Sequence, residues 1–348
     1  MQQIPDITVK NQSNGISKKI LIMLIVLPII LFLGSLVLGR YSVSVTDCIK
    51  ILFSTFLPID QTWSDTDAVI ILQIRFPRVF LAMCVGAALS ISGAAFQGIF
   101  RNPLVSPDIL GVSSAAGFGA ALGILLTGDQ FWIRIFALCF GILGVFLSYI
   151  LSRVYKTTPT IMLVLAGVVV SSFFSAMISI TKYVADTESE LPAITFWLMG
   201  GLNSVSLKDI LWTVIPMIVG AVVLLLVRWR INILSMGDEE ASSLGINTEV
   251  LKGVVIVSVT ILTATAVCIS GIIGWVGLVI PHIARMFVGP DHKVLLPVSL
   301  ILGACYLLVM DDIARAATSY EIPLGILTSL IGAPFFGYLI RKTKGGWS

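Results

Sequence analysis

The stretch Gly253–Ala284, GVVIVSVTILTATAVCISGIIGWVGLVIPHIA, holds 32 residues without one Asp, Glu, Lys or Arg. As a single helix it would be about 48 Å long at about 1.5 Å per residue. A bilayer core is about 30 Å thick, so the stretch is too long for one crossing. Its middle reads Ser270-Gly271-Ile272-Ile273-Gly274-Trp275, glycine punctuation with an aromatic of interfacial type. The run therefore divides there into two spans.

Working outward, eight more charge-free runs appear: Ile20–Gly39, Val79–Phe100, Ile109–Gly128, Ile135–Ser152, Thr157–Thr181, Ile210–Val227, Val294–Met310 and Ile322–Ile340. With the divided run, these give an all-α polytopic membrane protein of ten transmembrane helices. Composition agrees: 57% of the 348 residues are hydrophobic and 12% charged, against about 25% charged in soluble domains. A soluble enzyme is excluded, and no alternating strands suggest a barrel. Ten spans place both ends on one side. Basic residues flank the first span at Lys18-Lys19 and the last at Arg341-Lys342-Thr343-Lys344, so both tails are expected in the cytoplasm. Without the tails, the loops show no bias in Lys and Arg. The first run is long and lacks a small-residue cleavage site, so it reads as a span rather than a cleaved signal. The chain divides into a tail over 1–19, a ten-helix bundle over 20–343, and a short tail over 344–348.

The loops are too small to fold alone. On the expected outer side, Arg40–Ile74 contains an amphipathic helix, Val45–Phe56, with Asp47 and Lys50 on its polar side. A second outer segment, Lys182–Asp209, carries Asp186, Glu188 and Glu190. The longest inner loop, Arg228–Lys252, contains Met236-Gly237-Asp238-Glu239-Glu240-Ala241-Ser242-Ser243-Leu244-Gly245-Ile246. Three acids after Gly237 suit a helix N-terminus, and Ala241, Leu244 and Ile246 give it an apolar edge.

Chemistry-bearing patterns are scarce. There is no phosphate loop, so ATP is not bound by that route. His282 and His292 are the only histidines. Near the inner end of one span they read as solvated or capping residues rather than metal ligands. Five cysteines without metal-type spacing suggest packing, not a disulfide framework. The spans are nearly free of ionisable groups, which argues against an ion-coupled transporter and for a conduit powered from elsewhere. Gly86, Gly93 and Gly98, with their neighbouring alanines, form a small-residue stripe for close helix packing. Pro323 should open the last helix and Pro334 should bend it.

Several segments resemble, in order, the membrane permeases of type II ABC importers for iron–siderophores, haem and cobalamin. They are Arg75-Phe76-Pro77-Arg78; Ser92-Gly93-Ala94-Ala95-Phe96-Gln97-Gly98; Arg101-Asn102-Pro103-Leu104-Val105-Ser106-Pro107-Asp108-Ile109-Leu110-Gly111; Trp197-Leu198-Met199-Gly200-Gly201; Gly274-Trp275-Val276-Gly277 to Arg285; and Pro323-Leu324-Gly325 to Phe336. The resemblance covers roughly residues 20–343 and implies a ten-helix protomer.

It further implies a non-catalytic subunit that imports a metal chelate, foremost a ferric siderophore, by alternating access. Haem and cobalamin are the alternatives, and an ion-coupled secondary transporter is the rival of another class. The partners implied are a second permease protomer, identical or paralogous, two ATPase subunits that use ATP and Mg, and an extracytoplasmic binding protein. This chain would hold no cofactor and no metal, and would bind no nucleic acid. The location implied is a bacterial cytoplasmic membrane. Arg75, Arg78 and Arg315 would meet acids of the binding protein from a wet outer rim. Gly237, Asp238, Glu239, Ala241, Leu244 and Gly245 would couple to the ATPase. Asn102 and Leu104 would form one gate and Thr160 a second constriction.

Overall fold

A computed structural model describes residues 18–39, 41–55, 57–153, 159–318 and 320–342. Both expected tails, apart from Lys18 and Lys19 at one end, lie outside the described residues, as does Phe56 of the expected amphipathic helix. The helices are α1 (Lys18–Val37), α2 (Val45–Ser54), α3 (Asp65–Val69), α4 (Phe76–Ile99), α5 (Val112–Leu126), α6 (Gln130–Ser152), α7 (Thr160–Val184), α8 (Glu190–Met199), α9 (Leu207–Leu234), α10 (Asp238–Ser243), α11 (Thr248–Ser270), α12 (Val276–Val288), α13 (His292–Ala316) and α14 (Leu324–Lys342). A π-helical turn, Ile70–Arg75, joins α3 to α4, and a 3₁₀ turn, Pro107–Leu110, precedes α5.

Polar side chains set many of these starts. Ser44, Asp129, Asn247 and Asp291 each accept a backbone N–H at the first turn of α2, α6, α11 and α13, satisfying donors a helix start leaves open. Ser206 and Asp209 form a reciprocal capping box at α9. Pro323 immediately precedes α14, and Pro334 lies inside it.

Six helical segments among the described residues are long and apolar enough to cross a bilayer, and four shorter ones are also apolar. These ten correspond to the ten expected spans. The divided run behaves as expected: α11 ends at Ser270 and α12 begins at Val276.

The helix α4 is the axis of the bundle, packing on α13, α11, α12 and α9. Its glycines permit that. A Cβ on Gly86 would overlap the Gly303 carbonyl of α13, and one on Gly93 the Gly277 carbonyl of α12. The small-residue stripe is a packing surface. The apolar windows of α4 and α11 are each 78% buried, but those of α6, α7 and α9 only 33%, 28% and 22%. The latter three therefore form the outer wall, with large side chains such as Phe146, Phe173 and Leu226 facing outward.

Two spans are short. The 15 residues of α5 and 13 of α12 reach about 22 and 20 Å at about 1.5 Å per residue, less than a bilayer core. Each is preceded by irregular backbone, 100–111 before α5 and 271–275 before α12. The first of them meets the start of α12, where the Pro107 ring packs on Gly277. Non-helical backbone at membrane depth is stable only where protein or a cavity covers it; no residue of 271–275 is exposed, whereas Arg101, Asn102 and Leu104 of the first break are.

Candidate functional site

Three of the quoted motifs meet at one place. Residues 197–201 end α8, residues 270–275 separate α11 from α12, and residues 323–325 start α14. The Gly201 amide donates to the Ser270 carbonyl at 2.7 Å, and the Leu324 amide to the Gly200 carbonyl at 2.9 Å. Gly200 and Gly271 turn the chain with φ of +73° and +65°, a region open mainly to glycine. A Cβ on Gly200 would stand 2.6 Å from the Ile272 carbonyl, and one on Gly325 2.5 Å from that of Met199. Backbone thus touches backbone, and glycine alone fits.

A cleft of about 640 Å³ opens at this junction, lined by Leu198, Met199, Ile272, Gly325, Ser329 and Pro334 among others. Its lining carries no charged side chain. Among the described residues, no group of three His, Cys, Asp or Glu side chains is placed to hold a metal ion.

The three arginines expected at a wet rim are instead buried, with 5%, 8% and 9% exposure for Arg75, Arg78 and Arg315. Arg75 donates to the carbonyls of Leu36 and Val37 at 2.8 and 2.9 Å and to that of Tyr41. Arg78 grips Asp311 through Nε and Nη2 at 2.9–3.1 Å and Glu321 through Nη1 at 2.9 and 3.0 Å. Arg315 pairs with Asp311 at 3.1 Å and with Asp312, and donates to Ser35 Oγ at 2.8 Å. Arg78 and Arg315 with three carboxylates therefore tie α1, α4, α13 and the segment before α14 together, and Arg75 caps the end of α1 through carbonyls alone. The acids that meet Arg78 and Arg315 here belong to this same chain. Of the three carboxylates, Asp311 is fully buried and Asp312 nearly so, while the Glu321 side chain is 37% exposed.

Beside this cluster, α2 keeps Cys48 and Ile51 buried, while Lys50 donates to Thr62 Oγ1 at 2.9 Å. Burial pushes the Cys48 thiol up from its ordinary range, opposed in part by Arg75. All five cysteines are free thiols.

At the opposite end of α4, the expected coupling segment forms α10. Glu239, Glu240, Leu244 and Gly245 are exposed, and with Met236 at 67% and Leu244 at 63% exposure it presents two bare apolar side chains. Two residues depart from expectation. Ala241 is fully buried beneath the helix, because α10 lies against α9 and α11. Asp238 turns inward and pairs with Lys252 of α11 at 2.6 Å, whose side chain is 3% exposed. Asp238 and Ala241 anchor the segment, and the outward face belongs to Glu239, Glu240 and Leu244.

Asn102 and Leu104 are exposed in the turn after α4. The Leu104 amide donates to Asn102 Oδ1 at 2.9 Å. Thr160 opens α7 at the same end of the bundle.

Sequence reasoning missed the pairing of Arg134 and the burial of His292. Arg134 pairs with the buried Asp209 and donates to the Ser204 carbonyl at 2.9 Å, so spans that read as nearly charge-free hold neutralised pairs at their ends. His292, expected solvated or capping, is 7% exposed, and its Nδ1 sits 2.8 Å from Asn232 Oδ1.

Comparison with known proteins agrees with this architecture. The model of the FecCD transport family matches residues 25–342. A molybdate import system permease of Haemophilus influenzae is 42% identical over 330 residues, 94% of this chain and 97% of that protein. A probable iron chelatin transport permease of Helicobacter pylori is 44% identical over 278 residues, 80% and 84% of the two chains. A solved structure described as an inward-facing putative metal-chelate type ABC transporter superposes with a TM-score of 0.83 at 41% identity, covering 93% of this chain and 99% of that one. This membrane-embedded chain, with its glycine junction and uncharged cleft, belongs to the FecCD transport family.

Proposed function

We propose that the chain is the permease subunit of an ATP-driven importer that carries a metal chelate across the bacterial cytoplasmic membrane by alternating access. The observation that carries the reading is the junction of residues 197–201, 270–275 and 323–325 beside an uncharged cleft. The exposed α10 face stands at the opposite end of the bundle. Two protomers would enclose the path, and both tails would lie in the cytoplasm. Two ATPase subunits would dock on Glu239, Glu240 and Leu244, supplying ATP and Mg chemistry, with Gly237 and Gly245 bounding the docking segment and Asp238 and Ala241 seating it. Asn102, Leu104 and Thr160 would form the inner constrictions.

At the arginine end, an extracytoplasmic binding protein would reach Arg78 by displacing the half-exposed Glu321. Arg75 and Arg315 would support that surface from beneath.

The cargo we propose is a ferric siderophore. Molybdate is the second reading, favoured by the near full-length match to a molybdate permease. The test is reconstitution of the chain with its ATPase and binding protein in vesicles. ATP-dependent accumulation of iron-loaded siderophore supports the first reading, and of molybdate the second. Accumulation that needs no ATP would reject the importer altogether.

A further inference from the structure

Behind the turn that carries Asn102 and Leu104 lies one buried amide. Gln97, in the last turns of α4, is 4% exposed. Arg285 of α12 donates from Nη2 to Gln97 Oε1 at 2.8 Å. Gln97 Nε2 faces the Val105 carbonyl at 3.4 Å and the Leu278 carbonyl at 3.5 Å. The Gln97 carbonyl also accepts the Asn102 amide at 3.2 Å. We propose that Gln97, oriented by Arg285, is the positioning residue that holds the 101–106 turn closed against α12.

The orientation follows from donor chemistry. A guanidinium has only donors, so the amide oxygen must face Arg285. That leaves both protons of the amide nitrogen for the carbonyls of the turn and of α12. One side chain thus joins α4, the turn and α12, at the place where Pro107 seats on Gly277. The two contacts to carbonyls are long, and such bonds are weak. A hold that must release in each transport cycle needs that weakness. Apart from bonds within the turn and to the end of α4, its side-chain anchors are few. Arg101, Asn102 and Leu104 are exposed, Arg101 sits at φ +50°, and Val105 alone among 101–105 is buried, at 3% exposure. The role in transport rests on reading this turn as a gate, whereas the hold itself does not.

The two partners of the amide separate by substitution. Gln97→Glu keeps an oxygen for Arg285 but puts a carboxylate against two carbonyls, so the turn is repelled while the ion pair strengthens. Gln97→Met removes both contacts without adding charge. Arg285→Met frees the amide to flip, and Arg285→Lys retains a donor.

The experiment introduces Val105→Cys into protein with Cys48, Cys84, Cys139 and Cys305 changed to alanine. Native Cys268, 1% exposed, is kept as a buried reference. Maleimide labelling of purified protein samples the open population of each site. Labelling at position 105 relative to Cys268 should rise about threefold in Gln97→Glu, Gln97→Met and Arg285→Met, the low end of the change expected from one lost hydrogen bond. Arg285→Lys should stay near the parent rate. An unchanged ratio in Gln97→Glu and Gln97→Met overturns the proposal, and so does a parallel rise at Cys268, which marks general loosening. A further arm adds the ATPase with ATP. A raised ratio in the variants with no response to ATP in the parent leaves the hold established and counts against the importer reading alone.

Discussion

Asp311 takes two arginines at once, Arg78 and Arg315, and has no exposed surface. Removing one partner of a buried ion group leaves uncompensated charge, which costs about 3–5 kcal/mol. Asp311→Asn should therefore destabilise the protein by about 3 kcal/mol. Glu321→Gln, whose carboxylate is partly in water, should cost under about 1 kcal/mol. Denaturant unfolding in detergent checks this, and equal losses would dissolve the distinction between hub and rim. Gly93 gives a second residue-scale prediction. Because any Cβ there collides with the Gly277 carbonyl, Gly93→Ala should sharply reduce folded protein in membranes, whereas Gly253→Ala, with open space at that position, should not. The arginines stood out in the chain as lone charges near span ends. The pairing of Arg78 with Asp311 did not, because the two are 233 residues apart.

Among elements, α10 shows how a short helix is placed. Six residues are too few to be stable alone, and α10 is seated by Ala241 beneath it and by Asp238 on Lys252. Asp238→Ala would strand a buried ammonium group and should lower the unfolding temperature, while Glu239→Ala should leave it unchanged. Leu244→Asp should also leave it unchanged, since Leu244 is in water. On the coupling proposal, Leu244→Asp should abolish copurification of the ATPase. Retained copurification, with full uptake, would remove Leu244 from the contact. The boundaries of α10 were legible from Gly237 and the three acids that follow. Which face turned inward was not, because that depends on where α9 and α11 leave a gap.

For the whole molecule, the ten apolar helices carry a topology that labelling can read. Tyr183, 90% exposed at the end of α7, belongs to the expected outer side and Leu244 to the inner. In a background lacking native cysteines, an impermeant thiol reagent added to intact cells should modify Tyr183→Cys but not Leu244→Cys. Inside-out vesicles should reverse the pattern. Labelling of Leu244→Cys from outside would invert the orientation drawn from the basic tails.

The number of apolar helices, the break at 270–275 and the packing role of the glycine stripe were determined by the sequence alone. Each depends on local facts: run length against bilayer thickness, glycine at a turn, the absence of a side chain. Tertiary structure alone decided what the charges do. A lone Arg or Asp in a chain is ambiguous between a docking contact, a snorkelling anchor and half of a buried pair. The outcome depends on whether an opposite charge arrives from a distant helix. Burial makes some partner obligatory, carboxylates for Arg78 and Arg315 and carbonyls for Arg75, since an unsatisfied charge in low dielectric is far costlier than a satisfied one. The same holds for Gln97, whose amide acquires a meaning only once Arg285, Val105 and Leu278 surround it.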